Sequence, residues 1–353
     1  MKVYSLLMLL PLLFSMAVSP SASAADDAVA SAEQPQLPEH SRLVSTTAGQ
    51  FHVRAMGLEN SGPAVVLLAG PNHNYHSDSA WFAALQPLLA QQYRVYSVDR
   101  LGNALSSYSE EVSYRRFADD LALVLQQLGE TELAVVAFAS ASISARWFYQ
   151  SYQQQFAIQA MLYIDPDIPL PHSLSLYQGY PADWYQANLD KLLPHLAAGN
   201  WTARTQEKLE AEHQQVRELV AQDSSVMDWS YFEQIMQLRL LVPQQQTRAR
   251  EIAAYRADLE SYASLAMITK IPVSVIDSDF ERQEIAAAAD DAELVAALQQ
   301  WQREGSAWSA EQAKISGGQY IPLPDSDHLV PLQHPQVVEK ALTKLLNADG
   351  DDH

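Results

Sequence analysis

Residues 134–148 read AVVAFASASISARWF. The stretch 133–138 is apolar without a break, as a strand buried on both faces of a sheet is. It gives way at once to small residues, Ala139, Ser140, Ala141 and Ser142. Runs of the same kind recur on both sides, at 52–56, 64–69, 93–98, 161–164, 273–276 and 319–323. Helical patterns separate them. Residues 80–91 carry apolar side chains at helical spacing. In 114–128, Phe117, Leu121, Val124, Leu125 and Leu128 share one face, and Gly129 follows as a C-cap. Strands alternating with helices predict an α/β fold with a mostly parallel central sheet and helices on both faces.

The alternation stops between Ile168 and Met267. This stretch is polar, helix-rich and aromatic, with Tyr177, Tyr180, Trp184, Tyr185, Trp201, Trp229, Tyr231 and Phe232. Amphipathic helices are expected at 207–220 and 251–265, and another at 285–301 before the last strand. A helical block between two strands of one sheet reads as a cap. The expected organisation is a core at 42–167 and 268–347, a helical cap at 168–267 and a disordered acidic tail at 348–353. The first residues, MKVYSLLMLLPLLFSMAVSPSASA, combine Lys2, a short apolar run broken by Pro11 and Pro20, and the small-residue cleavage pattern Ala22-Ser23-Ala24. They read as a signal peptide, 1–24, followed by a flexible tether, 25–41. An exported chain, periplasmic or extracellular, is expected, without stable membrane insertion after cleavage.

Composition narrows the chemistry. The 353 residues include no cysteine, which excludes disulfides, Cys-ligated zinc, a cysteine nucleophile and a lipidated cysteine. A formal charge of −20 argues against nucleic acid and anionic membranes as partners and leaves a small-molecule substrate or ligand. There are 12 glycines, too few for a Gly-rich linker or repeat. His73, His76 and Asp78 form a weak metal-ligand pattern without a convincing third ligand, so no metal and no cofactor are expected.

Several segments, in order, carry a resemblance. VVLLAGPNHNYHSDSAWFAAL (65–85) looks like a strand and oxyanion loop. YRVYSVDRLGNALSS (93–107) is similar to an Asp-Arg-x-Gly-x-Gly-x-Ser signature, matched at Asp99, Arg100, Gly102 and Ser106, with Ala104 in place of the second glycine. PLPDSDHLVPLQHPQVVEKAL (322–342) looks like a catalytic-histidine loop. Together with 117–129 they resemble the α/β-hydrolase fold superfamily over most of 45–345. That resemblance implies a Ser on a sharp strand-to-helix turn, written small-x-Ser-x-small, in 134–148. Three registers compete. Family spacing from Gly129 places the nucleophile at Ala139, which has none. Register 140 offers Ser140 but puts Phe138 at a crowded position. Register 142 offers Ser142 with small neighbours and lengthens the strand. The resemblance makes His328 the base, and Glu281, then Asp279, the acid after the strand 271–276, with Asp165 and Asp167 ranked behind them. It places oxyanion donors at Gly70 to Asn72, Asn72 ahead of Pro71, and at the amide after the nucleophile, Ala141 for Ser140.

Two functions are therefore expected. One is an exported serine hydrolase, esterase-like, cleaving an ester or amide of a small molecule through Ser140 or Ser142. The other is a catalytically inactive relative, with Ala139 at the nucleophile position, that binds a ligand or partner.

Overall fold

The computed structural model describes residues 37–70, 76–179, 181–220 and 224–347. The expected signal peptide, most of the tether, the acidic tail and Asn72 lie outside the described residues. Eight strands form one sheet: β1 (Ser41–Ser45), β2 (Gln50–Met56), β3 (Ala64–Gly70), β4 (Val95–Val98), β5 (Glu132–Ala139), β6 (Ala157–Ile164), β7 (Val273–Ser278) and β8 (Tyr320–Leu323). Their spatial order is β1-β2-β4-β3-β5-β6-β7-β8. β1, β2 and β4 pair antiparallel, and every pairing from β4 through β8 is parallel. β3 is buried along its whole length and β5 from its second residue onward, which accounts for their unbroken apolar sequences.

The tether expectation needs correction at its end. β1, SRLVS, starts at Ser41 and forms an antiparallel ladder with β2. Its side chains are largely exposed, so it lacks the apolar run that marks the inner strands.

Between β3 and β5 lie α1 (Leu85–Leu89), preceded by a 3-10 turn at Ser79–Phe82, and α2 (Tyr114–Leu128). The single helix expected at 80–91 is thus two short pieces, whereas α2 has the expected bounds, N-capped by Ser113 and closed by Gly129 at φ 76°. α3 (Ala141–Tyr152) follows β5. Between β6 and β7 come α4 (Pro171–Gln178), α5 (Ala182–Ala197), α6 (Thr202–Leu219), α7 (Trp229–Leu238) and α8 (Val242–Ala263). The helix expected at 285–301 is two, α9 (Glu281–Ala287) and α10 (Ala292–Ser316), because Asp291 caps the second by accepting from the Glu293 and Leu294 amides. α11 (Val330–Gln333) and α12 (Pro335–Asn347) end the chain.

The sheet is packed on both faces. Phe117, Leu121, Phe148 and Trp308 cover one. Trp81, Phe82, Phe232, Val338 and Leu342 cover the other, so the α7 segment contributes to the core. Neighbours β4 and β5 flank β3 on opposite sides, and the crevice beyond the carboxyl ends of such strands is where open α/β sheets place ligands.

The Asp-Arg-x-Gly segment joins sheet and cap. Asp99 accepts from His52 Nδ1 at 2.7 Å, the Ser79 amide at 2.7 Å and Ser79 Oγ at 2.6 Å. Arg100 donates to the Ala69 carbonyl at 2.8 Å and to Glu251 of α8 at 2.9 Å, and Asn103 adds a second donor to Glu251 at 2.8 Å. Arg239, just past α7, clasps Asp78 through two nitrogens at 2.7 and 2.8 Å and Glu212 of α6 at 3.0 Å. These pairs are buried, so removing one partner strands the other charge away from water. Glu251→Ala is expected to lower the urea-unfolding free energy by about 3–5 kcal/mol, and Arg100→Leu/Glu251→Leu by less than Glu251→Ala.

Candidate functional site

The site begins where β5 ends. Gly70 of β3 pairs with Ala139 of β5, and a Cβ on Gly70 would lie 2.2 Å from the Ala141 nitrogen at the start of α3. Strand end and helix start therefore touch, and only glycine fits at residue 70. To turn within this space the chain takes a left-handed conformation at Ala139, φ 54°. An L-residue there is strained, by roughly 1–3 kcal/mol. The corner is thus residue 139, and its side chain is a methyl group.

Ser140 and Ser142 are both fully buried, and neither lines the cavity beside the corner. Ser140 Oγ donates to Tyr255 of α8 at 3.2 Å, and the Tyr255 hydroxyl donates to Asp167. Ser142 Oγ accepts from the Asp167 amide at 3.2 Å. The corner falls at residue 139, and residues 140 and 142 lie past it, in the seam between α3 and the cap, where their hydroxyls bond to Tyr255 and to the Asp167 amide.

The oxyanion donors are rearranged as well. The amide after the corner belongs to Ser140, and it donates to the Gly70 carbonyl at 2.7 Å. The expected Ala141 amide lies inside the helix start against Gly70. Stabilising an oxyanion needs donors aimed at open space, and the Ser140 amide is already occupied.

His328 lies in the loop after β8 and faces the same cavity as Ala139. Its Nδ1 donates to Asp165 Oδ2 at 2.9 Å. Asp165 directly follows β6 with φ 45° and also accepts from the Ser278 amide and Ser278 Oγ, each at 2.7 Å. Phe280 packs on the imidazole with ring centroids 4.5 Å apart. The expectation for the acid is corrected by this pairing. Asp279 instead accepts from Gln302 at 2.9 Å and pairs with Arg282 at 3.3 Å. Glu281 opens α9 and is buried beside Gly305 of α10. Asp165 stands directly after β6, which borders β5, whose end carries the corner. The available signal was an Asp set immediately after an apolar strand, at Ile164-Asp165.

Burial works to lower the pKa of His328, and the hydrogen bond and charge of Asp165 overcome it and raise it. Burial pushes Glu281 up to about 9, helped by Asp165 and Asp277. It also pushes Asp167 up to about 6 against the hydrogen bonds of Tyr255 and Ser140. The cap contributes Tyr177 to the cavity, and α10 contributes Trp301, whose Nε1 donates to the Tyr177 hydroxyl at 2.8 Å. Tyr177 was one of many cap aromatics and Trp301 one of the helix residues, and nothing in their local sequence set them apart. Trp184, Tyr185 and Trp201 pack elsewhere.

Of the weak metal pattern, Asp78 is committed to Arg239, His76 Nδ1 accepts from Arg248 at 3.3 Å, and His73 lies outside the described residues. Among the described residues no group of His, Cys, Asp and Glu is arranged to hold a metal ion.

The His328–Asp165 pair gives a sign to test. A raised folded pKa stabilises the fold below the unfolded value of about 6.5, and this is lost as pH rises through the folded value. In an NMR titration, His328 is expected to titrate above about 6.5. Asp165→Asn is expected to lower the midpoint, since only the charges of Asp327 and Glu284 then oppose burial. An unchanged midpoint would contradict the pairing.

Comparison with known proteins agrees with this architecture. The model of the alpha/beta hydrolase family matches residues 65–341. No curated protein matches significantly. Among solved structures, an alpha/beta hydrolase fold protein from Burkholderia ambifaria is 19% identical, with a TM-score of 0.57, covering 87% of this chain and 98% of its own. An epoxide hydrolase from Vigna radiata is 13% identical with a TM-score of 0.59, and an esterase from Thermogutta terrifontis is 18% identical with a TM-score of 0.52; each alignment covers 87% of this chain and 98% of the other. At these identities the likeness is one of fold. By the family model, which spans most of its length, the chain belongs to the alpha/beta hydrolase family.

Proposed function

We propose that this chain binds a small molecule in the cleft beside Ala139 and does not form an acyl-enzyme. The observation that carries the reading is the corner residue. A nucleophile elbow works by projecting a hydroxyl from a strained turn toward a base, and here the strained turn at φ 54° carries alanine. The bond between the Ser140 amide and the Gly70 carbonyl supports it, because a tetrahedral intermediate would need that donor. Structural neighbours named as an epoxide hydrolase and an esterase are in keeping with a small organic molecule as the ligand.

The His328–Asp165 pair favours one catalytic alternative. A base so held can deprotonate water for direct attack on a bound substrate, with no covalent intermediate. Proton transfer of this kind is worth roughly 10²–10⁴-fold in rate.

Export remains part of the proposal, carried by the N-terminal 24-residue pattern and by the negative formal charge, which disfavours nucleic-acid partners. No described helix is long and apolar enough to cross a membrane.

A fluorophosphonate probe followed by intact mass measurement tests the reading. The wild type is expected to stay unlabelled, and Ala139→Ser to gain a label that Ala139→Ser/His328→Ala lacks. Labelling of the wild type that Ser140→Ala or Ser142→Ala abolishes would overturn it. Ester hydrolysis without labelling that falls at least about 10²-fold in His328→Ala would select the direct-water alternative.

A further inference from the structure

Building on the reading of the cleft as a ligand site, we propose that its ligand is a small alkylammonium cation, held by Glu281 in the cavity lined by Tyr177, Phe280 and Trp301. The cavity is lined by four carboxylates from separate parts of the fold: Asp165 and Asp167 after β6, Asp277 on β7 and Glu281 on α9. Among the described residues no Lys or Arg lines it, and the one basic side chain that does, His328, is paired with Asp165. A carboxylate cluster alone would specify nothing. Glu281 adds an independent fact: the residue is only 6% exposed, and its Oε2 has no hydrogen-bond partner among the described residues. A buried carboxyl oxygen without a partner is costly, and a donor in the cavity relieves it.

The walls match the same class of ligand. Tyr177 meets Trp301 edge to face with centroids 5.8 Å apart, and Phe280 meets Trp301 at 5.6 Å. Aromatic faces attract organic cations, more strongly when water is excluded. The open volume is about 20 Å³, enough for one or two waters, so the group that enters has one or two heavy atoms, the size of methylammonium.

The cation must also contend with a proton. Burial first, then the charges of Asp165 and Asp277 and the neighbouring Glu284, hold Glu281 protonated up to about 9. Tyr320 of β8 and Tyr177 of α4 face it as neutral phenols, each raised by burial. α10 lines the same cavity with Trp301, Gly305 and Ser309, none of which titrates, and the loop after β8 lines it with His328. Binding is therefore an exchange: the alkylammonium enters, the Glu281 carboxyl loses its proton to solvent, and the carboxylate takes an N–H of the cation.

Calorimetric titration of the full chain with methylammonium chloride, in two buffers of different ionisation heat, tests this. Near pH 7, close to one proton is expected to be released per cation bound. Affinity is expected to rise about tenfold between pH 7 and pH 8, since Glu281 stays largely protonated below about 9. Glu281→Gln is expected to abolish both effects, and the wild-type pH dependence is decisive even if that variant does not fold. Absence of binding, binding of methanol as tight as that of methylammonium, or displacement of methylammonium by an equivalent of magnesium or calcium would each overturn the proposal. None of those results bears on whether Ala139 precludes an acyl-enzyme, which the labelling experiment decides separately.

Discussion

The contact between the end of β3 and the start of α3 constrains everything around the site. Gly70 has no room for a side chain because the Ala141 backbone occupies that space. The chain can turn between β5 and α3 only by taking a left-handed residue at 139. That turn fixes which side chain faces His328, and it directs the two following serines back toward the cap. Two more non-glycine residues carry positive φ at neighbouring turns, Ala104 and Asp165. Strain of this sort persists only where surrounding packing over-determines it. Here the surroundings are a sheet covered on both faces and buried ion pairs between Arg100 and Glu251 and between Arg239 and Asp78.

The His328–Asp165 pair and the corner at Ala139 are separate facts of this chain. Asp165 is held by three hydrogen bonds, one of them from His328. On the proposed reading the corner offers this pair no hydroxyl, and the amide after it is bonded to the Gly70 carbonyl. What remains is a small acidic, aromatic cleft containing one paired imidazole. Such a cleft is chemically suited to holding a ligand, or to moving a proton, without storing an acyl group.

Much of the framework was legible in the sequence because burial writes itself as pattern. Inner strands such as β3 and β5 are apolar throughout, and the α2 pattern with Gly129 gave both helix ends. Counting from Gly129 also pointed to residue 139, but competing serines at 140 and 142 left the register open. Only the backbone angle at Ala139 and the contact at Gly70 separate the three. The acid was misplaced for a related reason. Spacing along the chain favours residues after β7, while the pairing depends on which strand end lies beside the imidazole. Edge strand β1 was missed because exposure leaves no apolar signature. Glu281 was weighed as a charged acid, and its burial, which keeps it neutral, is a property of packing by α9 and α10.

The claim at the centre is that this site holds a base without a nucleophile. Pre-steady-state hydrolysis of an activated p-nitrophenyl ester, at enzyme concentrations high enough to count sites, measures it most directly. A linear release of p-nitrophenol from time zero, with no burst, is the expected result. A burst approaching one equivalent per chain would mean that an acyl group accumulates on the protein, and would contradict it.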